Sequence, residues 1–149
     1  MADHPRWVRA FLSDADLDAV RGAIADAESR TSAEIRVHLD HRCPGDAIER
    51  AVVVFRRLGM DRTAEGHGVL VYIAAADRKL AVIGDRGIHA RVGADYWREL
   101  VGAVTAHFRE ERPREGLIHA VGELGAALAW HFPRRPDDDN ELRDEVSIG

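Results

Sequence analysis

Two short apolar runs on either side of a polar break constrain the fold of this chain most. The runs are residues 69–75 (VLVYIAA) and 80–83 (LAVI), and the break contains residues 77–79 (DRK). This pattern predicts an antiparallel hairpin with a tight turn. Strands as apolar as these must be covered on both faces, so the rest of the chain has to supply helices for two sides of a sheet.

Helical spacing of apolar residues elsewhere in the sequence predicts those helices. Apolar residues at helical spacing predict helices over residues 14–29, 44–58, 96–108 and 115–132, with residues 88–94 as a connection. Ser13 followed by Asp16 resembles a capping box at the start of the first helix. Strict alternation over residues 34–39 (EIRVHL) predicts a half-buried strand with one apolar face.

The order of these elements predicts the fold class. A strand, a helix and a strand in succession imply a right-handed crossover and a parallel pair, to which the hairpin adds an antiparallel strand. The prediction is an α/β fold, a three-layer α/β/α sandwich around a small mixed β-sheet. We predict an N-terminal arm at residues 1–13 that packs as a lid, a domain at 14–133 and an acidic C-terminal tail at 134–149.

Composition excludes several classes of function. The 149 residues carry a formal net charge of -5, which disfavours a nucleic-acid-binding protein with its basic stripe. Cys43 is the one cysteine, so no intrachain disulfide or Cys-rich zinc site can form. No run reaches the ~18 apolar residues of a membrane span, and the N-terminus lacks the apolar core of a secretory signal. We therefore expect a cytoplasmic protein that binds neither nucleic acid nor membrane.

Common enzyme motifs do not occur in this sequence. It contains neither a phosphate-binding loop nor a Gly-x-Gly-x-x-Gly helix start, so no nucleotide cofactor is expected. It also contains no Gly-x-Ser-x-Gly elbow, and Ser147 is the last of four serines, none at a strand-to-helix turn. His67, between two glycines, is the most plausible functional histidine.

Acidic residues at predicted strand ends form the candidate metal site. Asp77 follows the central strand and Asp40 follows its predicted parallel neighbour, so both lie at one edge of the sheet. Asp85 follows the far end of the hairpin, about 15–20 Å away at ~3.3 Å per residue. Ca²⁺ or Mg²⁺ would need several oxygen ligands, so we consider Asp77, Asp40 and Asp85 as ligands, the first two as the closer pair. Alternatively, Asp77 and Asp85 are turn residues that bind backbone amides.

Several segments, in order, resemble the TPM domain family. The matching segments are residues 28–35 (ESRTSAEI) at a helix-to-strand connection, 68–74 (GVLVYIA) at the central strand, 77–79 (DRK) at the following turn, 84–88 (GDRGI) at a glycine-acid turn, and 116–121 (GLIHAV) in the last helix. The likeness covers about residues 14–132. Residues 132–133 and 138–142 resemble the tail of a short, single-domain bacterial subgroup.

This resemblance implies an α/β/α sandwich in a family of unsettled function. Some members are associated with divalent-cation binding, and a chloroplast member with acid phosphatase activity and photosystem repair. Many relatives carry a signal peptide and a membrane helix, which this sequence does not show. Many also have Asn-Asn-Gly before the central strand, where this chain has residues 66–68 (GHG).

Three functions follow as expectations. The first is binding of a divalent cation, Ca²⁺ or Mg²⁺, or of an unknown protein or small-molecule partner, by a monomer or weak homodimer. The second is a metal-dependent acid phosphatase in which Asp40 and Asp77 hold the cation and Arg78 or Arg42 clamps the phosphate. The third is a regulatory or scaffold protein that acts through its helical faces.

Overall fold

A computed structural model describes residues 4–62, 67–109, 112–134 and 146–149. In chain order these residues form α1 (Arg6–Phe11), α2 (Asp14–Glu28), β1 (Glu34–Asp40), α3 (Ala47–Arg57), a 3-10 turn (Met60–Arg62), β2 (Gly68–Ala74), β3 (Lys79–Gly84), α4 (Arg86–Val92), α5 (Ala94–Arg109), α6 (Pro113–His131) and β4 (Val146–Ile148). None of the helices in this described part combines the length and the apolarity needed to span a membrane.

The described strands form one mixed sheet in the order β3-β2-β1-β4. β1 runs parallel to both β2 and β4, and β3 returns antiparallel to β2. The register places Asp40, the last residue of β1, opposite Ala74, the last residue of β2. The predicted α/β sandwich, its hairpin and its parallel pair are therefore confirmed.

The larger core lies between one face of the sheet and the helices α2 and α6. Ile35, Val37 and Leu39 face it from β1 and are 0–1% exposed. The two helices approach closely at Gly125, where an added Cβ would lie 2.7 Å from the Cβ of Ala27. A side chain at position 125 would push the helices apart, so glycine is required there.

A second core covers the opposite face of the hairpin. Val54 and Phe55 of α3 pack there with Leu70 and Tyr72 of β2 and with Ala81 of β3. The helix begins at Asp46, whose side chain accepts a hydrogen bond from the Glu49 amide as an N-cap. The cap fixes where α3 begins, and therefore the length of the loop between β1 and α3.

Several elements differ from the sequence-based expectation. All seven residues of β1 are buried, whereas alternation predicts a half-buried strand. Most of the predicted connection at residues 88–94 is helical, because α4 covers residues 86–92 and is capped by Asp85. The last helix begins at Pro113, two residues before the predicted start at 115, and the missing N–H of proline costs nothing in the first turn of a helix. The capping box at Ser13 and Asp16 is confirmed.

Residues outside the predicted domain of 14–133 also contribute to the fold. Val8 and Leu12, in the predicted N-terminal arm, are 0% and 1% exposed in the larger core. Val146–Ile148, in the predicted tail, pairs with β1 as a strand of the sheet. The acidic segment at residues 137–141 (DDDNE) lies outside the described residues.

Candidate functional site

A pocket of about 910 Å³ opens where β1 and β4 end. Its walls come from residues 4, 5 and 7 near the N-terminus, the loop 40–46 after β1, residues 49, 50 and 53 of α3, and residues 148–149. We call it the carboxyl-edge pocket. The chain leaves β1 for β2 on one side, whereas β4 lies on the other side of β1. In open α/β sheets, such a reversal of strand order is where ligands bind.

Asp40 forms the base of this pocket and is engaged by three side chains. Its Oδ2 accepts hydrogen bonds from Arg50 Nε at 2.8 Å and from the Tyr72 hydroxyl at 2.6 Å. Its Oδ1 lies 3.0 Å from His38 Nε2. Burial raises the pKa of Asp40, but the hydrogen bonds from Arg50, Tyr72 and His38 outweigh burial and hold the pKa below its usual value. Asp40 is therefore an ionised carboxylate.

His38 connects Asp40 to the last strand. Because an ionised carboxylate can only accept, the Nε2 of His38 carries the proton, and Nδ1 accepts from the Ser147 hydroxyl at 2.7 Å. Burial lowers the pKa of His38, and its hydrogen bond to Asp40 opposes this only in part. A neutral histidine thus joins β4 to β1 beside the pocket.

The Tyr72 hydroxyl stays protonated and therefore remains a hydrogen-bond donor. Burial and its hydrogen bond to Asp40 raise the pKa of the Tyr72 hydroxyl. A protonated hydroxyl on β2 therefore faces the carboxylate on β1. The resulting group of His38, Asp40, Arg50, Tyr72 and Ser147 is called the polar network below.

Asp77 and Lys79 hold the loop that forms one wall of the pocket. The Cys43 amide donates to Asp77 Oδ2 at 2.6 Å, and Lys79 Nζ donates to the carbonyl oxygens of Cys43 and Gly45 at 2.6 and 2.7 Å. Arg78, between them, has a φ of 53°, a left-handed conformation that tightens the turn. The turn after β2 thus fixes three backbone groups of the loop after β1.

Asp85 lies at the opposite edge of the sheet. Its amide donates to the carbonyl oxygen of Gly68, the first residue of β2, at 2.9 Å. Its carboxylate accepts from the Arg86 amide at 2.7 Å and caps α4. The structure therefore brings Asp40 and Asp77 to one edge and leaves Asp85 at the other.

The described residues contain no group of three or more His, Cys, Asp or Glu side chains arranged to hold a metal ion. Both oxygens of Asp40 already accept hydrogen bonds, one of them from a guanidinium. Oδ2 of Asp77 accepts from the Cys43 amide, and Oδ1 lies 3.7 Å from Arg42. This donor set does not fit a shared Ca²⁺ or Mg²⁺, and metal binding by Asp77, Asp40 and Asp85 stays a prediction.

Sequence reasoning missed several groups at the pocket, and its candidate histidine lies elsewhere. The rings of Trp7 and His41 stack at 5.1 Å with an 8° interplanar angle, and Arg50 anchors Asp40. The sequence does contain a signal for Arg50. The N-cap of α3 marks where the helix starts, and a residue one turn later lies close to the end of β1. His67, the predicted functional histidine, is half-buried and packs against Phe132 at 4.0 Å, away from this pocket.

Comparison with known proteins identifies the family. A family model described as the TPM domain matches residues 8–127. The chain belongs to the TPM domain family. Among solved TPM-like structures, the BA42 protein from the psychrophilic bacterium Bizionia argentinensis is 39% identical, with a TM-score of 0.87 over 93% of this chain and 96% of that chain. No curated protein matches the sequence.

Two further solved structures share the fold at low identity. The N-terminal domain of a protein from P. gingivalis is 17% identical, with a TM-score of 0.68 over 82% of this chain and 79% of that chain. The N-terminal domain of the cg2496 protein from Corynebacterium glutamicum is 14% identical, with a TM-score of 0.64 over 86% of each chain. At these identities the likeness shows that the TPM fold persists while most side chains change.

Proposed function

We propose that this TPM domain is a binding domain whose carboxyl-edge pocket takes a small molecule or a segment of a partner protein. The observation that carries the proposal is the fixed geometry of the pocket. The polar network holds its base, and Asp77 and Lys79 hold the loop 43–45 at its wall. Preformed walls lose little conformational entropy when a ligand binds, which favours affinity.

The size and place of the pocket agree with this function. Pockets of about 300–1,000 Å³ enclose drug-sized ligands, and a volume of about 910 Å³ lies within that range. The pocket also lies at the carboxyl edge of the sheet, where the strand order reverses.

A metal-dependent acid phosphatase, the alternative function, has less support from this geometry. That mechanism requires a cation that polarises a phosphoryl oxygen, and Asp40 and Asp77 were the expected ligands. Asp40 would have to release Arg50 first, which would leave both charges without their partner at considerable cost. The exposed carboxylates of Asp46 and Glu49 at the pocket also repel a phosphate dianion.

The test is to map where small probes bind. We expect at least one of two probes, N-acetyl-tryptophanamide and a zwitterionic tripeptide, to shift amide signals at residues 41–50 and 148–149. Val53 lines the pocket and is 41% exposed, so Val53→Trp should fill the pocket and abolish these shifts.

Ile48→Trp is the matched control. Ile48 is also on α3 and is 59% exposed, but it does not line the pocket. The shifts should survive in this variant. Probes that bind only elsewhere, or that bind Val53→Trp as well as the unaltered protein, would refute the proposal.

A parallel titration with CaCl₂ and MgCl₂ tests the predicted metal site. We expect no saturable shift of the Cys43 and Asp77 amides at millimolar cation, because the Cys43 amide already donates to Asp77. Saturable shifts that disappear in Asp77→Asn would instead support the cation-binding alternative.

A further inference from the structure

We infer that the ligand of the carboxyl-edge pocket is a short peptide with a free ammonium and a free carboxylate. This inference rests on the proposed function and specifies its ligand class. Exposed charges of both signs and apolar side chains line the pocket together, and such a lining is complementary to a molecule with charged ends and an apolar body.

The acidic side of the pocket is the first turn of α3. Asp46 and Glu49 are both exposed and both line the pocket. The Oδ2 of Asp46 accepts a hydrogen bond from the Glu49 amide at 3.2 Å, which holds this carboxylate at the start of the helix. These two carboxylates favour a ligand ammonium group.

The basic side is Arg42, on the loop after β1. Its side chain is 68% exposed, and its guanidinium lies 3.7 Å from Asp77 Oδ1. Because Arg42 is exposed and the two charges are 3.7 Å apart, the pair contributes only about 0–1 kcal/mol, and the guanidinium can turn to a ligand carboxylate at little cost. Arg50 is different, because Asp40 holds its guanidinium at the base of the pocket.

Part of the pocket lining is apolar. Trp7, Pro44, Val53 and Ile148 line it, and the Trp7 ring is fixed by stacking on His41 at 5.1 Å. An indole face packs well against aliphatic side chains and peptide planes. A single amino acid would leave most of about 910 Å³ empty, whereas a peptide of a few residues reaches drug-like size.

Ligands of one charge fit less well. A phosphate dianion near Arg42 would also meet Asp46 and Glu49, and like charges in a partly enclosed site repel. A bare divalent cation would meet Arg42 and finds no group of three donors among the described residues. A ligand with separated charges can satisfy both sides at once.

The experiment compares three forms of the tripeptide Ala-Val-Ala by calorimetry and amide shifts. We expect the free peptide to bind the pocket, and N-acetylation or C-terminal amidation each to weaken binding by about 3–5-fold, as for a solvent-exposed ion pair. Glu49→Gln should remove the penalty of acetylation alone, and Arg42→Gln the penalty of amidation alone.

Arg57→Gln and Glu99→Gln are the charge-matched controls, since both side chains are exposed and neither lines the pocket. In both control variants, N-acetylation and C-terminal amidation should each still weaken binding of the peptide. Equal binding of the three peptide forms, or penalties unchanged by Arg42→Gln and Glu49→Gln, would overturn the inference. If the inference is overturned in this way but another probe still occupies the pocket, the proposed function stands. If no probe occupies the pocket, the proposed function and this inference both fail.

Discussion

The two faces of β1 are both buried, but for opposite reasons. On one face Ile35, Val37 and Leu39 enter the larger core with α2 and α6. On the other face polar residues alternate with them, and His38 and Asp40 are 6% and 5% exposed. The first face is stable because apolar area leaves water, and the second because its polar groups bind one another.

The two faces of this single strand therefore constrain the sequence differently. Apolar burial has no direction, so many residues of similar volume would serve on the core face. A buried carboxylate is costly unless each of its acceptor sites is used, so the polar face specifies Arg50, Tyr72 and His38 individually. The polar face also ends in the pocket, and the apolar face does not.

The largest expected effect is on the core face. Leu39→Ala removes a side chain that is 0% exposed and should lower the free energy of unfolding by about 3 kcal/mol, within the ~2–5 kcal/mol of buried Leu→Ala changes. Urea unfolding measures the loss, and probe binding to the folded fraction should be unchanged. Leu39→Met, which conserves volume, should cost less than about 1.5 kcal/mol. A loss of probe binding in the folded protein would contradict this separation of the two faces.

On the polar face, Asp40→Asn should cost about 2 kcal/mol, because the amide cannot accept from Arg50, Tyr72 and His38 together. Unlike Leu39→Ala, it should also alter probe binding, since Arg50 is released into the pocket. The same urea and amide-shift measurements apply. Tyr72→Phe is the milder control, with one hydrogen bond lost and the carboxylate retained. If Asp40→Asn were as stable as the unaltered protein, the polar network would not stabilise the fold.

Sequence patterns predicted the elements whose causes are local. The hairpin and the cap at Ser13 depend on residues close together in sequence, and both are confirmed. The parallel pair joins distant residues, and it is confirmed because the order of strand, helix and strand predicts it. Asp40 and Asp77 were also correctly placed at one edge, because strand order alone decides this.

The polar network could not be predicted in the same way. Ser147 lies 109 positions from His38, and only the pairing of β4 with β1 brings the two together. The alternation of polar and apolar residues in β1 shows which residues share a face of the strand. It does not show whether the polar face is exposed to solvent or covered by other elements. Arg50 is one of several arginines on α3, and its role depends on the distance from the helix start to Asp40.

The pH dependence of stability sharpens the comparison further. Burial lowers the pKa of His38 in the folded protein below the ordinary value of 6.5, so the unfolded chain binds a proton more readily. The stability from neutral His38 is therefore complete above pH 6.5 and is lost as pH falls below it, by at most about 1.4 kcal/mol per pH unit. Urea unfolding from pH 7.5 to 5.5 measures the slope, which should be smaller in His38→Gln. Identical slopes would show that His38 does not titrate differently on folding.

The smallest expected effects concern the two acids of the hairpin, which the sequence presents alike. Asp77→Ala and Asp85→Ala should each lower the free energy of unfolding by about 1 kcal/mol, one as a lost side-chain-to-amide hydrogen bond and the other as a lost helix cap. They should differ at the pocket. Asp77→Ala frees the Cys43 amide and loosens the loop 43–45, so it should shift the amide signals of that loop and weaken probe binding about 3-fold. Asp85→Ala acts at the opposite edge of the sheet and should leave the amide signals of the loop and probe binding unchanged. If the two variants weakened probe binding equally, the turn after β2 would not be what holds the wall of the pocket.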